Sequence, residues 1–192
     1  MRIVSGRFKG RTLKAPGDAA LRPTSDKVRQ AIFNILEHAG FAAGFSLEGA
    51  RVVDLFAGTG ALGLEALSRG AAHATFVEIA RQSLASLGDN LRTLDAEARA
   101  TVVKGDALKY ALRLGPRAFD VALADPPYGQ GHAAALLERF AQVPFARELW
   151  VEHRTGEAVP ELPGLRQRRY GDTTISSVAA AAADADTSSE DA

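Results

Sequence analysis

The chain has 192 residues, 46% hydrophobic and 24% charged, with 23 bases against 23 acids and no cysteine. That length suits one domain with a full core, and the missing cysteine excludes disulfides and thiolate metal sites. No apolar run reaches the length of a membrane span, and the start, MRIVSGRFKGR, lacks a secretory h-region. The expectation is a cytoplasmic, monomeric protein with no membrane partner.

Charge is unevenly spread. Residues 1–30 hold eight bases and two acids, a net charge of +6. The segment MRIVSGRFKGRTLKAP reads as a small basic β-hairpin with glycine turns. A basic head on a neutral body suggests a polyanionic partner. TSDKVRQAIFNILEHAG then reads as a helix, with Thr24 or Ser25 as N-cap, Asp26 in the first turn and Gly40 past the end.

From there, strand and helix signals alternate. VVDLFA (52–57) is a short apolar run ending in glycines, a buried strand. ALGLEALSR (61–69) is a helix stopped by Gly70. ATFVE (74–78) is a strand, and Leu84, Leu87, Leu91 and Leu94 mark a helical face. TVV (101–103) and FDVALA (119–124) are strands, with a helix marked by Ala133, Leu136, Leu137 and Phe140 after them. ELWVEH (148–153) is a strand, and LRQRRYGDTTISSV reads as two strands turning at Gly171-Asp172. Alternation of this kind predicts an open, mostly parallel α/β sheet. The last pair, joined too tightly for a crossover, is predicted antiparallel. Residues 179–192 are small and acidic, and disorder is expected there.

Chemistry concentrates in three places. The loop AGTGALG holds Gly58, Gly60 and Gly63, a G-x-G-x-x-G between strand and helix, where backbone N–H groups approach a ligand. Glu78 ends the next strand, 20 residues after Gly58, where a carboxylate can accept both ribose hydroxyls. An adenosine-containing cofactor follows, and this loop alone does not separate NAD from S-adenosylmethionine. Asp54 leans toward the latter. A carboxylate inside that strand needs a partner, and a cationic amino-acid end would supply one, directly or through water. Asp106, after the third strand, suits an adenine amine, with Ile79 and Ala107 or Leu108 against the ring.

The third place is ADPPYGQG, directly after FDVAL. A parallel strand delivers its C-terminal end to the ligand crevice. Pro126 and Pro127 make a stiff turn with free carbonyls. An exocyclic base amine is a poor nucleophile because its lone pair is delocalised into the ring. The Asp125 carboxylate and the Pro126 carbonyl can each accept one of its N–H groups and aim that lone pair at a methyl group, while Tyr128 stacks on the base. No metal is expected: His38, His73, His132 and His153 are scattered, with His132 read as a loop or helix-start residue.

These motifs and their order resemble class I S-adenosylmethionine-dependent methyltransferases acting on exocyclic amines. MRIVSGRFKGRTLKAP, then LRPTSDKVRQAIFNIL, then VVDLFAGTGALGLEALSRGA resemble the bacterial RsmD family, which methylates N2 of guanine 966 in 16S rRNA. The likeness runs from residue 1 to about 178. It implies a Rossmann-like seven-stranded sheet whose last strand is antiparallel, built from a basic extension (1–22), a methyltransferase domain (23–178) and a tail (179–192). It implies that Asp54, Phe56, Ala57, Gly58, Thr59 and Gly60 hold the amino-acid part of S-adenosylmethionine. Glu78 and Ile79, Asp106 and Ala107 would hold its nucleoside, and S-adenosylhomocysteine would be the product. Asp125, Pro126, Pro127 and Tyr128 would hold the target amine, and Arg22-Pro23-Thr24 would lie at the pocket entrance. Arg2, Arg7, Lys9, Arg11, Lys14 and Arg22 would grip phosphates of 16S rRNA or an assembling small subunit. Three other readings share parts of this pattern: a DNA or other RNA amino-methyltransferase, a nicotinamide-dependent oxidoreductase, and a non-catalytic RNA-binding module.

Overall fold

In chain order the elements are α1 (Asp26–His38), β1 (Arg51–Leu55), α2 (Ala61–Ser68), β2 (His73–Glu78) and α3 (Arg81–Thr93), then a 3-10 turn (Glu97–Arg99) and β3 (Ala100–Lys104). There follow α4 (Ala107–Leu112), β4 (Phe119–Ala124), α5 (His132–Gln142), β5 (Ala146–Arg154), β6 (Arg166–Tyr170) and β7 (Thr173–Ala179). The computed structural model describes residues 1–16, 26–38 and 46–181.

The strands form one sheet in the order β3-β2-β1-β4-β5-β7-β6. The pairs from β3 to β5 are parallel, and β7 runs antiparallel to both β5 and β6. Strand order reverses between β1 and β4, so their C-terminal ends open a crevice at the switch point. Both sheet faces are covered, which is why Val52, Val53 and Leu55 of β1 and all of 121–124 in β4 are buried. One face packs α2, α3 and α1 through Leu64, Leu87, Ile32 and Phe33 against Phe76 and Trp150. The other packs α5 through Leu136, Leu137 and Phe140 against Val53, Leu149 and Phe145. Truncating a fully buried residue such as Leu136 to alanine would cost about 2–5 kcal/mol.

The expected alternation, the expected helical faces and the antiparallel last strand are all present, with bounds moved by one to two residues. Leu84 alone of its four leucines is only partly buried. Helix α4 and the 3-10 turn were not anticipated. Thr24, Ser25, Arg22, Pro23 and Gly40 lie outside the described residues, as do residues 182–192 of the tail. Ala179 belongs to β7, and the Ala180 N–H donates to the Arg147 carbonyl (2.8 Å).

Residues 1–13 make one isolated antiparallel bridge, Arg2 with Thr12, supported by Ile3 N–H to Arg11 C=O (3.0 Å) and Gly10 N–H to Ile3 C=O (2.9 Å). The segment shares the main core: Ile3, Phe8 and Leu13 are buried in it. Its anchor is Glu65 on α2, fully buried. That carboxylate accepts the Val4 and Ser5 N–H groups (2.8 and 3.0 Å) and pairs with Arg69 (2.8 Å) and Arg29 (3.5 Å). Arg29, counted in the basic head from sequence, is buried inside this junction and also donates to the Arg2 carbonyl. A buried carboxylate is tolerated because arginines and backbone donors surround it.

Candidate active site

The glycine loop is built from both directions. Gly60 caps α2 with φ 87°, and a Cβ there would sit 2.5 Å from Leu87 Cδ1. A Cβ on Gly63 would lie 2.3 Å from the Phe76 ring, so this glycine lets α2 press on β2. Phe56, at the end of β1, takes φ 62° without being glycine, a strained turn at the crevice.

Three carboxylates then fix the loops. Asp54, 1% exposed, accepts the Gly63 N–H (2.8 Å). Glu78 accepts the Gly58 N–H through one oxygen (2.7 Å) and the Ile79 and Ala80 N–H groups through the other (2.8 and 2.6 Å). Asp106 caps α4 by accepting the Lys109 N–H (2.8 Å). Burial pushes the Asp54 carboxyl up to about 7; the Gly63 hydrogen bond opposes this and the Glu78 charge adds to it.

A cavity of about 750 Å³ unites both ends of the site. Asp54, Phe56, Ala57, Gly58, Thr59, Glu78, Ile79, Asp106 and Ala107 line it, together with Asp125, Pro126, Pro127 and Tyr128. Gly60 does not line it, and Thr24 lies outside the described residues. Among the wall residues that sequence reasoning missed are Met1, Ala15, Ser83, Gln130 and His132. His132 does start α5, as read, yet its ring also stacks on Phe56 (centroids 5.1 Å, 26° between planes). No local pattern announces a contact between residues so far apart in the chain.

At the corner, the Tyr128 hydroxyl donates to Glu152 Oε1 (2.7 Å) and lies 3.2 Å from the Thr173 hydroxyl. Burial, outweighing the Thr173 contact, pushes this phenol well above its ordinary range, and Glu152 and Asp125 add to the rise. The ring is therefore a neutral plate with a tethered tip. Pro126 is buried, while Pro127 is exposed and Asp125 half-buried.

The basic head splits into uses. Arg2, Arg7 and Lys9 are exposed. Arg11 donates to the Thr93 carbonyl at the C-terminus of α3 (2.7 Å), and Lys14 pairs with Asp89. Asn90, buried on α3, accepts the Lys14 N–H (2.7 Å) and donates to both the Lys14 and Thr59 carbonyls (3.0 and 2.9 Å). One amide thus ties the basic head to the glycine loop.

The residues present fit an adenosine-type cofactor with a cationic tail. Buried Asp54 suits an ammonium, Glu78 suits ribose hydroxyls, and Ile79, 64% exposed beside Asp106, offers an apolar plate to a ring. Among the described residues no group of three or more His, Asp or Glu is arranged to hold a metal ion, and no helix is long and apolar enough to cross a membrane.

Comparison with known proteins agrees. Residues 1–179 match the family described as conserved hypothetical protein 95. Ribosomal RNA small subunit methyltransferase D of Escherichia coli is 36% identical over 166 residues, covering 85% of this chain and 79% of that one. The Thermus hypothetical protein TTHA0928 superposes with a TM-score of 0.76 at 30% identity, over 94% of this chain and 99% of that structure. A Salinibacter ruber RNA methyltransferase solved with S-adenosyl-L-homocysteine shares the fold, with a TM-score of 0.60 at 12% identity over 82% of this chain and 92% of that one.

Proposed function

The chain belongs to the RsmD family of class I methyltransferases, and from that premise we propose that it methylates the exocyclic N2 amine of a guanine, guanine 966, in 16S rRNA. The chain is an S-adenosylmethionine-dependent rRNA methyltransferase, and the base and its position are what we propose. The observation that carries it is one cavity lined by both the carboxylate-braced glycine loop and the Asp125–Tyr128 corner. Family membership and this corner leave no role for nicotinamide chemistry.

S-adenosylmethionine supplies a methyl group already activated as an electrophile. The chain's own work is positional. Asp54 and the loop from Phe56 to Thr59 hold the cationic amino-acid tail, Glu78 the ribose, and Asp106, Ile79 and Ala107 the adenine. Ribose binding at Glu78 shares a carboxylate that already accepts three backbone N–H groups, so the loop is braced by the same group that reads the ligand. At the other end, the Asp125 carboxylate and the Pro126 carbonyl accept the two N–H bonds of the amine and direct its lone pair. Such alignment accounts for several of the kcal/mol by which the barrier falls, on the order of 3–7. The surplus proton of the methylated amine leaves at Asp125. Tyr128, its tip tethered, keeps the base in plane. The guanine must leave its stack to reach this depth. Arg2, Arg7 and Lys9 face solvent and suit the flanking phosphates, and the enzyme works as a cytoplasmic monomer.

The test is methyl transfer. The protein is incubated with labelled S-adenosylmethionine and small-subunit rRNA, free and in assembling particles, and the RNA is digested to nucleosides. Label in N2-methylguanosine, mapped to position 966, is expected. Label in another nucleoside would keep the corner and discard the guanine.

A further inference from the structure

We propose that the outer strand β6 is a second RNA-contact surface, with Arg166 and Arg168 gripping the phosphates next to the target base. This rests on the rRNA-methyltransferase reading and names the part of the substrate that meets the antiparallel end of the sheet.

Register carries the inference. Glu152 on β5 pairs with Ile175 on β7, which pairs with Arg168 on β6. Directly paired residues share a sheet face, so Glu152, Ile175 and Arg168 form one row on one side. Glu152 is the acceptor of the Tyr128 hydroxyl, so this row starts at the corner. Two strand spacings separate its ends, about 10 Å. Arg166 occupies the same face two residues on, about 7 Å further along the strand, of the order of one nucleotide step in an extended RNA. The β6–β7 turn is itself fastened beside the corner: Thr173 contacts the Tyr128 hydroxyl, and the Asp172 and Gly171 carbonyls accept from Thr155 (2.8 and 3.0 Å).

The chemistry fits RNA. Residues 166–169 are all exposed, and β6 ends the sheet order. Arginine forks bind phosphate oxygens in pairs and stack on bases. The face is the one that also carries the basic segment, since Ile175 and Ile3 belong to one core. Arg169 points to the opposite face, donates to the Gly171 carbonyl (3.0 Å) and lines a groove with Glu157 and Glu161. It serves as an internal control. A competing explanation is that arginines on an outer strand merely block addition of another strand.

The experiment measures binding of a guanine-bearing 16S rRNA hairpin by fluorescence anisotropy across salt concentrations, with the full chain. R166Q/R168Q is expected to raise Kd roughly tenfold and to lower the slope of log K against log salt by about 1–2. R166K/R168K is expected to recover most of the slope, and R169Q to leave it unchanged. S-adenosylhomocysteine affinity by calorimetry stays at the wild-type value in all three, which separates lost contact from lost fold. An unchanged slope in R166Q/R168Q overturns the proposal, as does an equal loss in R169Q or a wild-type protein that binds no RNA. Self-association of R166Q/R168Q with unaltered RNA affinity would assign the arginines to guarding the edge. If wild type binds the hairpin and R166Q/R168Q lowers the slope while no methyl is transferred, the surface stands and the guanine reading falls.

Discussion

The two ends of the cavity are held in different ways. At the nucleotide end each carboxylate holds a backbone N–H close by in the chain: Asp106 that of Lys109 in α4, Asp54 that of Gly63 in α2, and Glu78 that of Gly58 in the glycine loop, three, nine and twenty residues away. At the corner, Tyr128 is held by Glu152 and Thr173, 24 and 45 residues away on β5 and β7. The cofactor end is thus braced by its own βαβ unit. The base end depends on the antiparallel strands, the same strands that carry Arg166 and Arg168. Cofactor binding and base orientation should therefore respond to different substitutions.

The sharpest way to break that division is Asp125→Ala. Turnover is expected to fall ~10²–10³-fold, the usual effect of removing one positioned polar group at a reacting centre, with S-adenosylhomocysteine affinity within twofold of wild type. A parallel loss of affinity would merge the two ends. Glu78→Ala is expected to do the reverse, weakening cofactor binding by about 1–3 kcal/mol in calorimetry. Unchanged affinity would remove the ribose role.

Asp54→Asn probes the nucleotide end through pH. The Asp54 carboxyl titrates near 7 when folded and near 3.8 when unfolded. Below about pH 4 both states are protonated and the group is neutral to stability. Between those values only the unfolded chain ionises, so the folded state loses stability as pH rises, and above 7 the cost is constant. Asparagine carries no such cost and keeps an acceptor for Gly63. The variant is expected to gain ~1–2 kcal/mol over wild type at pH 8 and far less at pH 5, read by thermal unfolding. Its cofactor affinity is expected to fall, read by calorimetry, if Asp54 is the counter-charge of the ammonium. Tyr128→Phe gives the smallest effect, ~0.5–1.5 kcal/mol of stability from one hydrogen bond, with KM for RNA raised and cofactor affinity untouched.

Legibility followed the same division. Gly58, Gly60, Gly63 and Glu78 could be read because their partners lie within one strand-loop-helix unit, where spacing fixes geometry. FDVALADPPY could be read because a parallel strand has only one end to offer a ligand. Asp106 reads from sequence as a candidate ligand and not as a cap, since ALKYAL is six residues long and buries only Ala107 and Ala111. Ile3, Phe8 and Leu13 recur every five residues, which matches neither the helix nor the strand period, so their burial gave no signal. Nothing in the sequence of α2 marks Glu65 as buried. Its four partners come from residues 4, 5, 29 and 69, which only the folded chain brings together. Asn90, too, gains meaning only from Thr59 and Lys14, 31 and 76 residues earlier.

That last separation sets a schedule for biosynthesis. At ~5–20 residues per second, the 76 residues between Lys14 and Asn90 take about 4–15 s to be made. Until α2 and then α3 are made, Ile3, Phe8 and Leu13 lack the helices that bury them, and the positive charges around them lack first Glu65 and, for the whole interval, Asp89. A nascent chain of this composition is attractive to chaperones and to polyanions alike. The basic head is thus a loose charged thread in the newborn chain before it becomes part of a shaped surface.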